Sequence, residues 1–167
     1  MSRSPGYGRA ATVAVVALVL DQITKALIRG NLAPGERIEL FASVDLVRVT
    51  NRGIAFGLLD DAGSLVIALA AIAFAALLAV FLATSERRGL WLPIGLLAGG
   101  AIGNLIDRIH AGAVTDFIDI GPWPAFNLAD VEITIGVIAL VWIYAFGADP
   151  GSEQAEHGPA RPGPDSG

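Results

Sequence analysis

"GNLIDRIHAGAVTDFIDI" occupies Gly103 to Ile120, and its reading decides the fold. The eighteen residues 89–106 carry no charge, and then Asp107, Arg108, Asp116 and Asp119 follow closely. A transmembrane helix needs roughly 20 mostly apolar residues to cross about 30 Å of hydrocarbon. The stretch therefore reads as the end of a span, from about Leu90 to Ile109, that opens onto a polar surface. Ionisable side chains at such a place cost free energy, about 2.5–3.5 kcal/mol each at a span centre, and are a functional hypothesis by default.

Working outward, three further stretches approach a span. They run from about Arg9 to Ile28, from Ser64 to Thr84 ("SLVIALAAIAFAALLAVFLAT", without a charge) and from about Asn127 to Phe146. The first has Asp21 and Lys25 after its apolar half instead of a small-residue cleavage site, so it reads as a retained span and not a signal peptide. The expected fold is an all-α membrane protein of four transmembrane helices. A small extracytoplasmic β element is expected between the first two, because "IELFASVDLVRVT" (Ile38 to Thr50) is rich in β-branched residues and "TNRG" follows as a turn signal. "TSERRGL" joins the second and third spans as a tight hairpin. One membrane-embedded domain is expected over residues 1–149, and a disordered cytoplasmic tail, rich in Pro, Gly and charge, over residues 150–167.

The composition agrees. Of 167 residues, 54% are hydrophobic and only 16% are charged, which favours an integral membrane protein over a soluble domain. There is no cysteine, which excludes disulfides, thiolate metal sites and a thiol nucleophile. The net charge of −5 is partly set by the acidic tail and does not suggest nucleic acid as a partner. Arg3, Arg9, Arg87, Arg88 and Arg161 fall on one side and Arg29, Arg37, Arg48 and Arg52 on the other; the compact "SERR" loop and the N-terminus favour the inside for both termini.

Several polar groups are candidates for chemistry. Asp21 and Lys25 stand at i and i+4, where they neutralise each other, either as an interfacial ion pair or as part of a site. Asn104 and Asp107 stand at i and i+3 with Arg108 beside them, and Arg108 is expected to hold Asp107 ionised, which makes the pair a scaffold and not a proton shuttle. Asn127 and Asp130 repeat the spacing at the start of the last span; they read as a helix cap with an acid in the first turn, as a mount for a reactive carboxylate, or as both. Asp116 and Asp119 lie in a connection long enough to fold back, so that Asp116 could face Asp130. Two carboxylates in one poorly solvated site share a proton, and the pair can activate water and protonate a leaving group. Spacing alone does not exclude Asp107 or Asp119 from that pair. Gly95, Gly99 and Gly103 clear one face of the third span, for close helix packing or for a groove that admits another helix. There is no zinc-type His pair, Gly-x-Ser-x-Gly or phosphate loop, and His110 reads as interfacial.

Together these residues resemble the bacterial lipoprotein signal peptidases, signal peptidase II, over about residues 10–146. Four blocks carry the resemblance in order: "DQITKAL" (Asp21 to Leu27), "NRGIAFGLL" (Asn51 to Leu59), "GGAIGNLIDRIHAGAVTDFIDI" (Gly99 to Ile120) and "FNLADVEITIG" (Phe126 to Gly136). The resemblance implies an aspartyl endopeptidase of the inner membrane, with both termini cytoplasmic and the active site near the outer leaflet. Such enzymes cut the signal peptide from a prolipoprotein before its diacylglyceryl-modified cysteine. By the family pattern Asp116 and Asp130 form the catalytic pair; Asn104, Asp107, Arg108 and Asn127 match the surrounding polar positions, and Asp21, Lys25, Asn51 and Gly53 match others that support the site and its β cover. No metal or organic cofactor is required. The expected partners are lipidated prolipoproteins and membrane lipids, with the enzyme a monomer and the substrate's signal helix against the glycine-lined face. Two departures stand out: Thr115 replaces the usual valine, and only "IGPWPA" (Ile120 to Ala125) separates Asp119 from Phe126. A proton-coupled transporter wants an acid near the bilayer midplane, whereas Asp107, Asp116 and Asp130 cluster at one end; a noncatalytic assembly factor has no need of two facing carboxylates.

Overall fold

The computed structural model describes residues 6–52, 79 and 89–146. Among them are three helices long and apolar enough to cross a membrane: α1 (Tyr7–Asn31), α2 (Trp91–Ala111) and α3 (Leu128–Phe146). At 1.5 Å per residue they measure about 37, 31 and 28 Å. The expected spans from Arg9, Leu90 and Asn127 are thus found within a few residues. The expected span from Ser64 to Thr84, the "TSERRGL" hairpin, Gly53 and the C-terminal tail lie outside the described residues.

α1 is inside out by the standards of a water-soluble helix. Its buried stripe holds Ala10, Ala17, Asp21, Lys25 and Ile28, while Val15, Val16, Val19, Leu20, Ile23 and Leu27 face outward. Hydrocarbon, and not water, suits that outer surface. Arg48 closes its C-terminal end by donating to the carbonyls of Arg29 (3.0 Å) and Leu32 (2.8 Å), oxygens that the last helical turn leaves unpaired.

α2 is the central helix, and its glycines set the spacing on both sides. A methyl group at Gly99 would come within 2.6 Å of Ala17 Cβ, and one at Gly100 within 2.6 Å of the Ala129 carbonyl oxygen. Gly95 and Gly103 meet Val13 and Asp21 of α1 in the same way, and Gly136 of α3 packs over Pro93 and Leu97. The face bearing Gly95, Gly99 and Gly103 is therefore filled by α1, which corrects the expectation that a substrate helix lies there. Without side chains at these positions, van der Waals packing between backbones takes the place that hydrophobic burial has in water. The same contacts fix directions: α1 and α2 run parallel and α3 runs antiparallel to both. α2 ends at Gly112, which takes a left-handed φ of 68° and donates to the Arg108 carbonyl at 3.0 Å, a glycine-terminated helix end.

The β element is a three-stranded antiparallel sheet in the order β1 (Arg37–Phe41), β2 (Val44–Asn51), β3 (Val114–Ile120). Two of its strands are those expected between the first spans. The third is "VTDFIDI", read from sequence only as a connection that folds back, and it pairs Val49 with Asp116 and Asp45 with Asp119. Ile28, Leu32 and Phe117, with Leu46, Ile118 and Leu128 around them, form the apolar layer that seats the sheet on the end of α1 and the start of α3.

Candidate active site

The polar residues singled out in the sequence converge where α1 and α2 end and α3 begins. Lys25 and Asp21 are both 0% exposed, so the pair belongs to the interior of the bundle and not to its rim. An ammonium carries three donors and no acceptor. Lys25 places all three: Asp21 Oδ2 at 2.9 Å, Asn104 Oδ1 at 2.8 Å and Asp107 Oδ2 at 3.4 Å. Asp21 also accepts from the Ala129 backbone nitrogen at 3.1 Å, so it caps the first turn of a different helix, where the dipole favours negative charge.

Asn104 passes the contact on. Its Oδ1 accepts from Lys25, and its Nδ2 donates to Asp130 Oδ1 at 2.9 Å. Asn127 and Asp130 form a reciprocal cap: the Asp130 nitrogen donates to Asn127 Oδ1 and the Asn127 nitrogen to Asp130 Oδ2, each at 3.1 Å. Asn127 Nδ2, left over from the cap, donates to Asp116 Oδ1 at 2.7 Å. The cap and the mount are thus the same residue. Asn51, on β2, donates to the other Asp116 oxygen at 2.9 Å.

Asp107 closes the arrangement. It accepts from the Thr115 backbone nitrogen (3.2 Å) and from Arg29 and Gln22 (3.4 Å each), besides its ion pair with Lys25. A ring results, from Asp116 through Asn127, Asp130, Asn104, Lys25 and Asp107 to Thr115, the neighbour of Asp116. The expected partnership of Arg108 with Asp107 is corrected here: Arg108 donates to the Asn104 carbonyl at 3.2 Å, and Lys25 and Arg29 take the acid instead. Adjacent residues on a helix point in different directions, so a cation at i+1 is poorly placed for an acid at i.

Asp119 is set apart by the strand period of two. It lies three residues from Asp116, faces away, and meets Arg37 at 2.5 Å, which also holds Asp45 at the same distance. Asp116 is buried, and burial pushes its carboxyl above the usual value; the Asn51 and Asn127 amides pull it down, the charge of Asp130 raises it and Lys25 lowers it. A buried carboxylate that shares Asn127 with a second one keeps its proton more readily than a carboxylate in water.

Sequence reasoning missed Gln22, Arg29 and Glu132. Glu132 is 6% exposed, and its Oε2 has no hydrogen-bond partner among the described residues. The signal was available, since Glu132 is the only charged residue from Val131 to Phe146. His110 is exposed, as expected, with its ring against the Ile106 carbonyl at 3.0 Å.

A profile of the family described as Signal peptidase (SPase) II matches residues 13–146. The lipoprotein signal peptidase of Moorella thermoacetica is 40% identical over 132 residues, 78% of this chain and 88% of that protein. That of Azoarcus sp. is 38% identical over 158 residues, 90% of this chain and 88% of its own length. Two solved bacterial membrane enzymes, determined by the in meso method at 2.3 and 1.9 Å resolution, each align with a TM-score of 0.75. They share 30% and 31% of residues, and cover 93% and 84% of this chain and 95% of theirs.

Proposed function

The chain belongs to the signal peptidase II family, an aspartic peptidase of the membrane that removes signal peptides from prolipoproteins, and on that premise we propose that Asp116 and Asp130 are its catalytic pair. They share one proton. The ionised member activates a water; the protonated member polarises the scissile carbonyl and then passes a proton to the leaving amine. Cleavage falls before the diacylglyceryl-modified cysteine, whose lipid stays in the bilayer. The observation that carries this reading is Asn127, which bonds both carboxylates at once through its side chain and its backbone. Asn51 and Asn104 hold their outer oxygens, and Asp21, Lys25 and Asp107 are the ionic mount behind them. Arg108 belongs to the surroundings of the site, through the Asn104 carbonyl; Gly53 is assigned there by the family pattern alone.

A four-helix architecture goes with this proposal. Because α1 and α2 are parallel, the end of β2 and the start of α2 stand at opposite ends of the bundle, which supports a further crossing between them. Tyr7, Phe146 and the start of α2 share the end opposite the acids; Arg9 stands in the first turn of α1, and Arg87 and Arg88 stand just before α2 in the sequence, which supports the cytoplasm for that end. Both termini are then cytoplasmic, with the active site at the outer leaflet of the inner membrane, and the enzyme works as a monomer.

The test is cleavage of a diacylglyceryl-modified prolipoprotein by the purified protein and by Asp116→Asn and Asp130→Asn. Folded variants that both fail support the pair. Cleavage at full rate by either variant overturns it.

A further inference from the structure

The loop between β3 and α3, "GPWPAF" from Gly121 to Phe126, has no part in the ring of polar contacts. It is nevertheless built with care. Gly121 adopts a φ of 54° and donates to the Ser43 carbonyl at 3.1 Å, Trp123 donates to the Ile120 carbonyl at 3.1 Å, and the carbonyl of Phe126 accepts from both Phe117 and Ile118. Trp123 stands between Pro122 and Pro124, whose fixed φ stiffens the turn, so its ring is displayed at small cost in conformational freedom. The ring is 69% exposed. Phe41, at the turn between β1 and β2, is also 69% exposed. The bond from Gly121 to Ser43 and the pairing of Val44 with Ile120 bring the two turns to the same end of the sheet. Ile120 and Leu40 add further exposed apolar surface there.

We propose that this tip, Trp123 with Phe41, is an anchor that rests in the headgroup region of the bilayer and fixes the depth of the strand that carries Asp116. Three observations select the bilayer over a protein partner. β3 is held to the helix ends through Arg29 to Thr115, Asn127 to Asp116 and Ile28 to Phe117, and its tip at Ile120 and Gly121 lies beyond those contacts along the strand. The outward residues of α1 and α3, among them Val19, Ile23, Leu27, Ile135 and Ile138, expose an apolar surface suited to lipid, and the loop that carries Trp123 leads through Phe126 directly into the first turn of α3. Trp, with an apolar body and one N–H donor, is the residue enriched in the headgroup region of a membrane. The loop is hydrogen-bonded directly to Phe117 and Ile118, the neighbours of Asp116 along the strand, so the depth of the ring sets the depth of the carboxylate. The depth-setting role rests on the catalytic reading of Asp116; the anchor itself does not.

The experiment uses the full chain in phospholipid vesicles. With Trp91→Phe and Trp142→Phe, Trp123 is the sole tryptophan, and its fluorescence is quenched by lipids brominated near the headgroup, by lipids brominated near the chain end, or by aqueous iodide. Strongest quenching by the shallow bromolipid is expected. Strongest quenching by iodide, by the deep bromolipid, or by none of them overturns the anchor, since the ring is then in water, in the bilayer core or covered by protein. The chain has no cysteine, so a nitroxide on Ile120→Cys, with all tryptophans in place, gives a second depth measurement should the double variant fold poorly; a depth outside the headgroup region also overturns it. Trp123→Ala is expected to raise KM for vesicle-embedded substrate several-fold with kcat unchanged, and Trp123→Tyr to restore it. An unchanged KM in Trp123→Ala overturns the depth-setting role and leaves the catalytic pair, tested separately by Asp116→Asn, untouched.

Discussion

Asn127 donates to Asp116 at 2.7 Å with the one side-chain atom that its helix cap does not use. Cap and contact can therefore be separated by substitution. Asn127→Ser keeps a residue that caps helices well, but its shorter side chain does not reach Asp116. Cleavage is expected to fall roughly 10- to 100-fold, the scale on which misplacing a catalytic group is felt, with thermal unfolding nearly unchanged. A loss of activity that tracks a loss of stability would show that the contact matters only as part of the cap.

The pH dependence follows from the environment of Asp116. The amide of Asn51 stabilises the ionised carboxyl and so lowers its pKa, against burial and the charge of Asp130, which raise it. Asn51→Ala removes a lowering influence and leaves the raising ones. The rate profile is expected to move to higher pH, and a shift to lower pH would contradict the assignment of Asp116 to the pair. Rates measured across the acidic and neutral range decide it.

Lys25 is a buried cation among Asp21, Asn104 and Asp107. Lys25→Met leaves buried carboxylates without their partner, a change that costs about 3–5 kcal/mol in comparable sites. Denaturation in detergent micelles should show that loss, and Asp21→Asn added to Lys25→Met should recover part of it.

Gly99 and Gly30 offer a matched pair. Gly99→Ala drives a methyl into Ala17 and the Ala14 carbonyl, at 2.6 and 2.7 Å, whereas Gly30→Ala meets nothing within 4 Å. Overpacking costs about 1–3 kcal/mol, while alanine is favoured over glycine in a helix by about 1 kcal/mol. The first variant should lower the unfolding temperature, and the second should leave it level or raise it.

Asp119→Asn is expected to cut at the wild-type rate. Asp119 meets Arg37 on the outer side of the sheet, and a side-by-side rate assay with Asp116→Asn tests whether that side is free of catalytic duty.

What the amino-acid sequence determined by itself was whatever depends on local composition and period. Apolar runs long enough for hydrocarbon located α1, α2 and α3, because a span must satisfy its backbone internally and show an apolar surface. β-branched runs located β1 and β2, and the Asn-x-x-Asp spacing announced the cap at Asn127. The tertiary structure decided the rest, because those choices are made between elements distant along the chain. "VTDFIDI" becomes a strand only because β2 offers it an edge, and that pairing, with its two-residue period, turns Asp116 toward Asn127 and Asp119 toward Arg37. Asp107 is claimed by Lys25 and Arg29 and not by its neighbour Arg108, because helices α1 and α2 lie parallel and close. The glycines of α2 allow that closeness, and they bring the cations of one helix level with the acids of the other.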